Sequence, residues 1–357
     1  EGNYRKRDGY PMSELRNILE DSVNRLFSDQ LDWSALEKHE KNGWPADFWT
    51  HVTEQGIDKV LAREEAGGMS GSWSDAYPII RACGRYAVPV PLPETILAHW
   101  IAAQSNQDLR EGVPSIFSKG CTLKNGKLVL ANEGLPWGGR ADFLIGIING
   151  DVVIADTKNA VVNPQKNLGR DDRDTLSGEL DILATYPTLL DDDTVHWLGA
   201  LLRSAQIAGA SAAALDLAVQ HAGDREQFGR SLSKFQAIQH HLADLAGLVA
   251  SVDAIAITAF ARLDSAGISG NRRNARFEIA AAKCRASEAV EKITRISHQI
   301  HGAIGFTYEY GLHFVTRRLW AWRSEYGGVS EWGENLGRIA VEAGGDKIWP
   351  IITNKGQ

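Results

Sequence analysis

The carboxy-terminal half of the sequence carries a helical pattern that restricts the fold to a bundle of long helices. Apolar residues recur there at steps of four, three, four and three, which is the spacing of an antiparallel helix seam. They are Ile238, Leu242, Leu245, Val249 and Val252. Alanine-rich runs at residues 205–218 and 280–289 would let such helices approach closely. We therefore predict a four-helix bundle within residues 193–357, with a role in oligomerisation.

Residues 113–192 have a different pattern, which is typical of antiparallel strands. Two pairs of apolar segments each flank an Asn-Gly dipeptide, at residues 125–126 and 149–150. Asn-Gly supports the positive φ angles of a two-residue hairpin turn. We predict a small, reduced antiparallel β domain over these residues. The aspartates at residues 191–193 are predicted to cap the helix that follows.

Residues 12–112 are predicted to form an amino-terminal helical domain. Leu15, Ile18 and Leu19 begin a helical spacing of apolar residues. A glycine-rich loop at residues 67–71 and a proline-rich turn at residues 89–95 bound the next helices. The fold class is thus mainly α with a small β domain in the middle.

Composition excludes several classes of protein. The net charge of -7 argues against nucleic acid as a partner. Three distant cysteines suggest neither a disulfide framework nor a metal site, and they fit a reducing cytoplasm. No apolar run is predicted to span a membrane. We interpret residues 1–11 as foreign to the protein, with Met12 as its start.

Two motifs in the helical half point to a bound dinucleotide. The first runs from Arg225 through Gln227 and Phe228 to Gly229, followed by Gln236, and the second is Gln299-Ile300-His301-Gly302. A guanidinium group offers forked donors to a pyrophosphate, and glycine lets the backbone approach a bulky ligand. The alternative is that Arg225 merely pairs with a neighbouring acid on a solvated helix end. His301 is interpreted as a hydrogen-bonded structural residue, and no His/Cys/Asp cluster supports a metal.

This motif pair resembles that of the acyl-CoA dehydrogenases, in which such residues complete a flavin site between subunits. The resemblance covers nearly the whole chain and is strongest from Leu198 to about Gly337. It implies the family's architecture of a helical domain, a β domain and a four-helix bundle. It also implies FAD as cofactor. The cofactor-binding candidates are Arg225, Gln227, Phe228, Gln236, Gln299, Ile300, His301 and Gly302.

The catalytic glutamate of that family is missing from this sequence. Aligning Arg318 and Tyr326 with the family pattern places Gly327 at the glutamate's usual position. A minority of relatives carry the glutamate on the first bundle helix, and that position falls on Gly199. Glycine cannot hold the proton that a general base must accept. No catalytic residue is therefore expected in this chain.

Other residues that serve a subunit's own flavin are also altered. The family's Thr-x-Gln appears here as Val329-Ser330-Glu331, and its Thr-Glu-Pro-Gly-Ser-Asp loop is not found. The residues that reach a neighbour's flavin are retained. The chain therefore resembles the non-catalytic subunit of heteromeric, α2β2 acyl-CoA dehydrogenases of bacterial steroid and bile-acid side-chain degradation.

That resemblance implies a homologous catalytic partner that shares the FAD, holds most of the acyl-CoA and passes electrons to an electron-transfer flavoprotein. Two alternatives stay open. One is a homomeric flavoprotein that uses another base, such as Glu331 or, less favoured, Glu325. The other is a scaffold for oligomerisation without flavin.

Overall fold

A computed structural model describes residues 14–270 and 274–353, without the side chains of residues 132 and 133. Residues 1–11 and Met12 lie outside the described residues, so the interpretation of the chain's start stays a prediction. The elements follow the predicted order of helices, strands and helices. The fold prediction is confirmed.

The amino-terminal helices pack into one core with the first helix of the carboxy-terminal half. They are α1 (Glu14–Gln30), α2 (Trp33–Asn42), α3 (Ala46–Glu54), α4 (Trp73–Arg85) and α5 (Leu92–Ala103). Helix α5 begins earlier than predicted, because Pro93 lies in its first turn, where a missing N–H is tolerated. Ser72 and Asp75 form a reciprocal capping box at the start of α4.

The middle of the chain forms a seven-stranded sheet in the order β1-β4-β5-β7-β3-β2, with β6 beside β7. The strands are β1 (Pro114–Ile116), β2 (Cys121–Lys124), β3 (Lys127–Pro136), β4 (Phe143–Ile148), β5 (Asp151–Asp156), β6 (Val161–Asn163) and β7 (Arg173–Pro187). Both predicted hairpins are present. Asn125 and Gly126 have φ of 51° and 73°, and Asn149 and Gly150 have φ of 55° and 76°. Positive φ at both turn positions is the type I′ geometry.

The sheet departs from the prediction in one pairing. Strand β1 runs parallel to β4, while the other pairs are antiparallel, so the sheet is mixed. The predicted aspartate cap is also wrong, since no carboxylate caps the next helix. Asp193 stands at its N-cap but bonds Trp197 and Arg276 instead, and Asp192 binds the backbone of the 149–150 turn.

The carboxy-terminal half contains α6 (Thr194–Asp224), α7 (Gln236–Ala266), α8 (Arg276–His301) and α9 (Leu312–Trp322), which form the bundle. Two short strands, β8 (Glu226–Gln227) and β9 (Arg230–Ser231), join α6 to the next helix, and α10 (Val329–Ala343) and α11 (Gly345–Thr353) follow the bundle. Helix α6 packs against α4, α7, α8 and α9, and almost all of its residues 194–214 are buried. Of the predicted seam, Leu245, Val249 and Val252 are buried, and Ile238 and Leu242 pack partly against the same core.

Two of these helices are long and apolar enough to cross a membrane by length and composition, which the sequence analysis did not anticipate. Within their most apolar windows, 94% of α6 is buried in the protein but only 28% of α7. Helix α6 is therefore a core helix. Helix α7 presents much of its apolar surface outward.

Candidate functional site

The first motif forms an exposed hairpin at the end of α6. That helix ends at Asp224, and Arg225 follows as its C-cap. The hairpin β8–β9 turns through Phe228 and Gly229, with φ of 53° and 78°. The Phe228 side chain is 93% exposed, and Arg225, Gln227 and Gln236 are exposed too. The hairpin therefore presents Arg225, Gln227 and Phe228 to solvent beyond the end of α6.

The second motif lies at the end of α8. Gln299 and Gly302 are exposed, and Gly302 ends the helix with φ of 62°. Ile300 and His301 are instead 3% and 5% exposed. Their side chains therefore face the bundle core and not the surface that Gln299 presents.

His301 is held by hydrogen bonds on both ring nitrogens. Its Nδ1–H donates to the carbonyl of Ser297 at 2.7 Å, and Nε2 lies 3.2 Å from the Tyr310 hydroxyl. Burial lowers the pKa of His301, so the ring is neutral at neutral pH. This is the structural role that the sequence analysis favoured for it.

The two motifs meet at one end of the bundle. The ring of His221, one turn before Arg225, stacks on His301 with centroids 4.7 Å apart. The Tyr310 ring packs against both imidazoles. The structure thus brings the exposed candidates of both motifs to a shared surface, although they are about seventy residues apart in sequence. We call this surface the half-site; it comprises Arg225, Gln227, Phe228, Gln236, Gln299 and Gly302.

The two glycines predicted to stand at the family's glutamate positions both lie next to Tyr326, Gly199 against its ring and Gly327 as its neighbour in sequence. A Cβ added at Gly199 would come within 2.4 Å of the Tyr326 ring. Gly327 has φ of 93°, and a Cβ there would come within 2.7 Å of Trp332 Nε1. Neither position has room for a side chain, so Tyr326 and Trp332 occupy the space that a glutamate would need.

A buried ion-pair network fills the region behind Tyr326. Glu325 accepts hydrogen bonds from Arg173 Nε at 3.0 Å and from Arg203 Nε at 2.6 Å. Arg203, which is fully buried, also donates to Glu94 at 2.6 Å and to Gln206. Because each buried charge has an opposite partner, the desolvation cost is offset within the network.

This network removes Glu325 as a candidate base. Burial alone would raise its pKa, but Arg173 and Arg203 outweigh burial and hold the pKa of Glu325 well below its usual range. A carboxylate so stabilised is a poor proton acceptor at neutral pH. Glu325 is a structural counter-ion.

Glu331 lies at the edge of a small cavity between the β domain and the bundle. Its Oε1 is 2.9 Å from His196 Nε2, and the His196 ring stacks on Trp332. The cavity holds about 290 Å³ and is lined on its other side by Lys119 and residues 134–136. Small-molecule sites usually hold about 300–1,000 Å³. The cavity therefore lies at the small end of this range.

Three residues of this region were missed by sequence reasoning: Arg173, His196 and Arg203. Arg203 did leave a signal, because it is a charged residue within an otherwise apolar stretch of α6. Arg173 and His196 left none, since their partners lie more than a hundred residues away. In the described residues, no group of three or more metal-ligating side chains is arranged to hold an ion.

Comparisons with known proteins bear on the family and the fold of this chain. The family model described as acyl-CoA dehydrogenase, C-terminal domain, matches residues 198–337. The chain is 30% identical over 316 residues to acyl-CoA dehydrogenase IpdE2 of Mycolicibacterium smegmatis, covering 86% of this chain and 93% of that protein.

Two solved structures share the fold. The first is the ChsE4-ChsE5 complex from Mycobacterium tuberculosis, with a TM-score of 0.81 and 18% identity over 94% of this chain and 99% of that chain. The second is a G363A variant of the Tcur3481-Tcur3483 steroid ACAD, with a TM-score of 0.78 and 21% identity over 92% of this chain and 98% of that one.

Proposed function

The chain belongs to the acyl-CoA dehydrogenase family, and from this membership we propose that it is the flavin-supporting subunit of a heteromeric enzyme. An unlike, homologous partner supplies the catalytic glutamate and most of the acyl-CoA site. The complex is an α2β2 assembly in the cytoplasm that reduces an electron-transfer flavoprotein. When bound, FAD supplies the hydride acceptor for α,β-dehydrogenation.

One observation carries this proposal: the two predicted glutamate positions have no room for a side chain, while the half-site is open. Tyr326 occupies the space at Gly199, and Gly327 has no room for a side chain. Arg225, Gln227 and Phe228 stand in solvent at the end of the bundle. A chain built this way has residues for a neighbour's flavin and no room for a glutamate at either predicted position.

The half-site fits an anionic dinucleotide in its chemistry. The Arg225 guanidinium would pair with the pyrophosphate, and the Gln299 amide would bond the adenosine portion. Gln227 and Phe228 would add a polar contact and an aromatic wall, with Gln236 beside them. At Gly302 the absent side chain leaves the backbone open to close approach.

The substrate class is proposed from the structural neighbours. One of them is described as a steroid ACAD, and both are complexes of two unlike chains. We propose that the complex formed by this chain acts on a steroid side-chain CoA thioester. The second candidate function is a homomeric flavoprotein that uses Glu331, and the contact between Glu331 and His196 at the 290 Å³ cavity is the observation that favours it.

Flavin content and turnover of the chain alone and of the chain co-purified with its partner test the proposal. We expect flavin and acyl-CoA oxidation only in the complex, with one flavin per pair of unlike chains. Flavin and turnover in the chain alone, abolished by Glu331→Gln, would establish the homomer. If neither preparation contains flavin, the remaining candidate is a scaffold for oligomerisation without flavin.

Arg225→Ala sharpens this test in the complex. A charged hydrogen bond to phosphate contributes about 1.5–3 kcal/mol, so flavin should bind about ten- to a hundredfold more weakly. Gln299→Ala should have a smaller effect, since no charge is lost. Arg338→Ala, which removes an exposed cation from α10, is the matched control and should leave flavin affinity unchanged. Full flavin retention by the Arg225→Ala complex contradicts the assignment of the half-site.

A further inference from the structure

A second surface beside the half-site is apolar and unusually exposed. Leu168, Phe306, Tyr308 and Trp320 are 68%, 73%, 68% and 38% exposed, and all four line one cleft of about 390 Å³. The cleft lies between the loop before β7, the 3-10 turn Gly302–Phe306 and the outer face of α9. We call it the aromatic cleft. Grouped exposed hydrophobic side chains of this size mark an interaction site.

The two imidazoles in the wall of the aromatic cleft are uncharged. The His298 ring stacks on Phe306 at 4.5 Å, and the Tyr308 ring meets His313 edge-on at 5.1 Å. The Thr316 hydroxyl donates to the carbonyl of Leu312, so its oxygen accepts from His298 Nε2–H at 3.1 Å. Burial lowers the pKa of His298, and it lowers that of His313 to about 4 with help from Arg317. Both imidazoles are therefore neutral at neutral pH.

The aromatic cleft offers few polar groups to a small ligand. Nδ1 of His298 and both ring nitrogens of His313 are sealed from solvent. The Arg317 guanidinium is held on Glu40 by contacts of 2.8 and 2.9 Å. A polar molecule would lose its hydration here and find almost no replacement bonds. An apolar protein segment fits these walls, because its side chains need no hydrogen bonds.

We propose that the aromatic cleft is the docking site for an apolar segment of the unlike, flavin-carrying partner. This inference rests on the proposed function, which requires that partner to lie against Gln299 and Gly302. The 3-10 turn starts at Gly302 in the half-site and ends at Phe306 in the cleft wall. A chain that reaches one end of this five-residue turn therefore reaches the other.

A second copy of this chain is the less suitable occupant. In a symmetric contact the same patch meets itself, and two concave surfaces facing each other leave both unfilled. The unlike partner is free of this constraint, because its sequence can supply the protruding apolar side chains that the cleft lacks. Aromatic anchors in such pockets commonly dominate the affinity of an interface.

The test uses Phe306→Ser and Trp320→Ser in the chain co-purified with its flavin-carrying partner. We expect each to weaken association of the unlike chains at least about tenfold in sedimentation or surface binding. Leu189→Ser is the matched control, since Leu189 is 96% exposed but lies outside the cleft, and it should have no effect. Arg225→Ala should lower flavin content while the chains still associate.

These readouts separate the two proposals. Normal association of Phe306→Ser and Trp320→Ser overturns the docking site and leaves the proposed function standing. Loss of self-association by these variants, with hetero-association unchanged, identifies a second copy as the occupant and also overturns it. If the wild-type chain assembles with no flavin-carrying relative, the proposed function fails and the docking site fails with it.

Discussion

Lys283 is a fully buried lysine whose contacts explain how the bundle tolerates it. Its Nζ donates to the carbonyls of Trp322 and Arg323 at the end of α9, at 2.8 and 3.0 Å, and lies 3.1 Å from Ser287 Oγ. A cation at a helix carboxyl end is favoured by the helix dipole. Burial nevertheless lowers the pKa of Lys283 to about 7, against the opposing effect of Glu325.

This depressed pKa predicts a specific pH dependence of stability. Between pH 7 and the unfolded lysine pKa of about 10.4, the unfolded chain holds a proton that the folded chain has released. The free energy of unfolding should therefore gain about 1.4 kcal/mol per pH unit from this group as the pH rises from about 7 to 10. Below pH 7 Lys283 is charged in the folded chain, so the full cost of burying that charge lowers the free energy of unfolding.

Lys283→Met tests that dependence, because it removes the titrating group. Urea unfolding at pH 7, 8 and 9 should give a slope with pH that is smaller in the variant than in the wild type. Lys292→Met, at an exposed position of the same helix, is the control and should keep the wild-type slope. Equal slopes for the wild type and Lys283→Met would mean that Lys283 stays protonated in the folded chain.

At the scale of elements, α4 and α6 approach each other closely through two glycines. A Cβ at Gly84 would lie 1.9 Å from the carbonyl oxygen of Gln206, and one at Gly209 would lie 1.8 Å from that of Arg81. The two backbones therefore touch where both helices lack side chains. The alanine-rich pattern of residues 205–218 correctly indicated close packing, but it did not identify α4 as the neighbour.

Gly209→Ala should separate these helices. Overpacking of a filled core costs about 1–3 kcal/mol, and here the added methyl meets backbone that cannot rotate away. Gly333→Ala on α10 is the matched control, since nothing lies within 4 Å of its added Cβ. That control should stabilise the chain by about 0.5–1 kcal/mol. Similar unfolding free energies for the two variants would contradict the predicted close contact.

Local sequence patterns were sufficient to predict the helices and strands, but they did not predict which of these elements pair over long range. Asn125-Gly126 and Asn149-Gly150 fix their hairpins because the turn chemistry lies within the dipeptide. The parallel pairing of β1 with β4 joins strands that are not consecutive, and no short pattern encodes it. The network of Glu94, Arg203 and Glu325 is unpredictable for the same reason. The sequence predicts the two glutamate positions, and only the structure reveals that the Tyr326 ring fills the space at one of them, Gly199.

For the whole molecule, the outer face of α7 is an apolar surface that the described residues leave uncovered. Only 28% of its most apolar window is buried, whereas 94% of that of α6 is. Its exposed residues are mostly small and include Ala243, Gly247, Ala250, Ala254 and Ile257. Small residues let another helix approach closely. Helix α7 thus supports the sequence prediction that the bundle forms the oligomer.

We expect the isolated chain to self-associate at micromolar concentration, because an uncovered apolar face of this length is unfavourable in water. Ala250→Glu places a charge at the centre of that face and should shift the chain towards the monomer in sedimentation velocity. Ser265→Glu adds the same charge in the last turn of the same helix, beyond the exposed small residues named above, and should leave the distribution unchanged. A wild-type chain that sediments as a monomer would show that this face needs no partner. Association that persists in Ala250→Glu would place the oligomer contact elsewhere on the bundle.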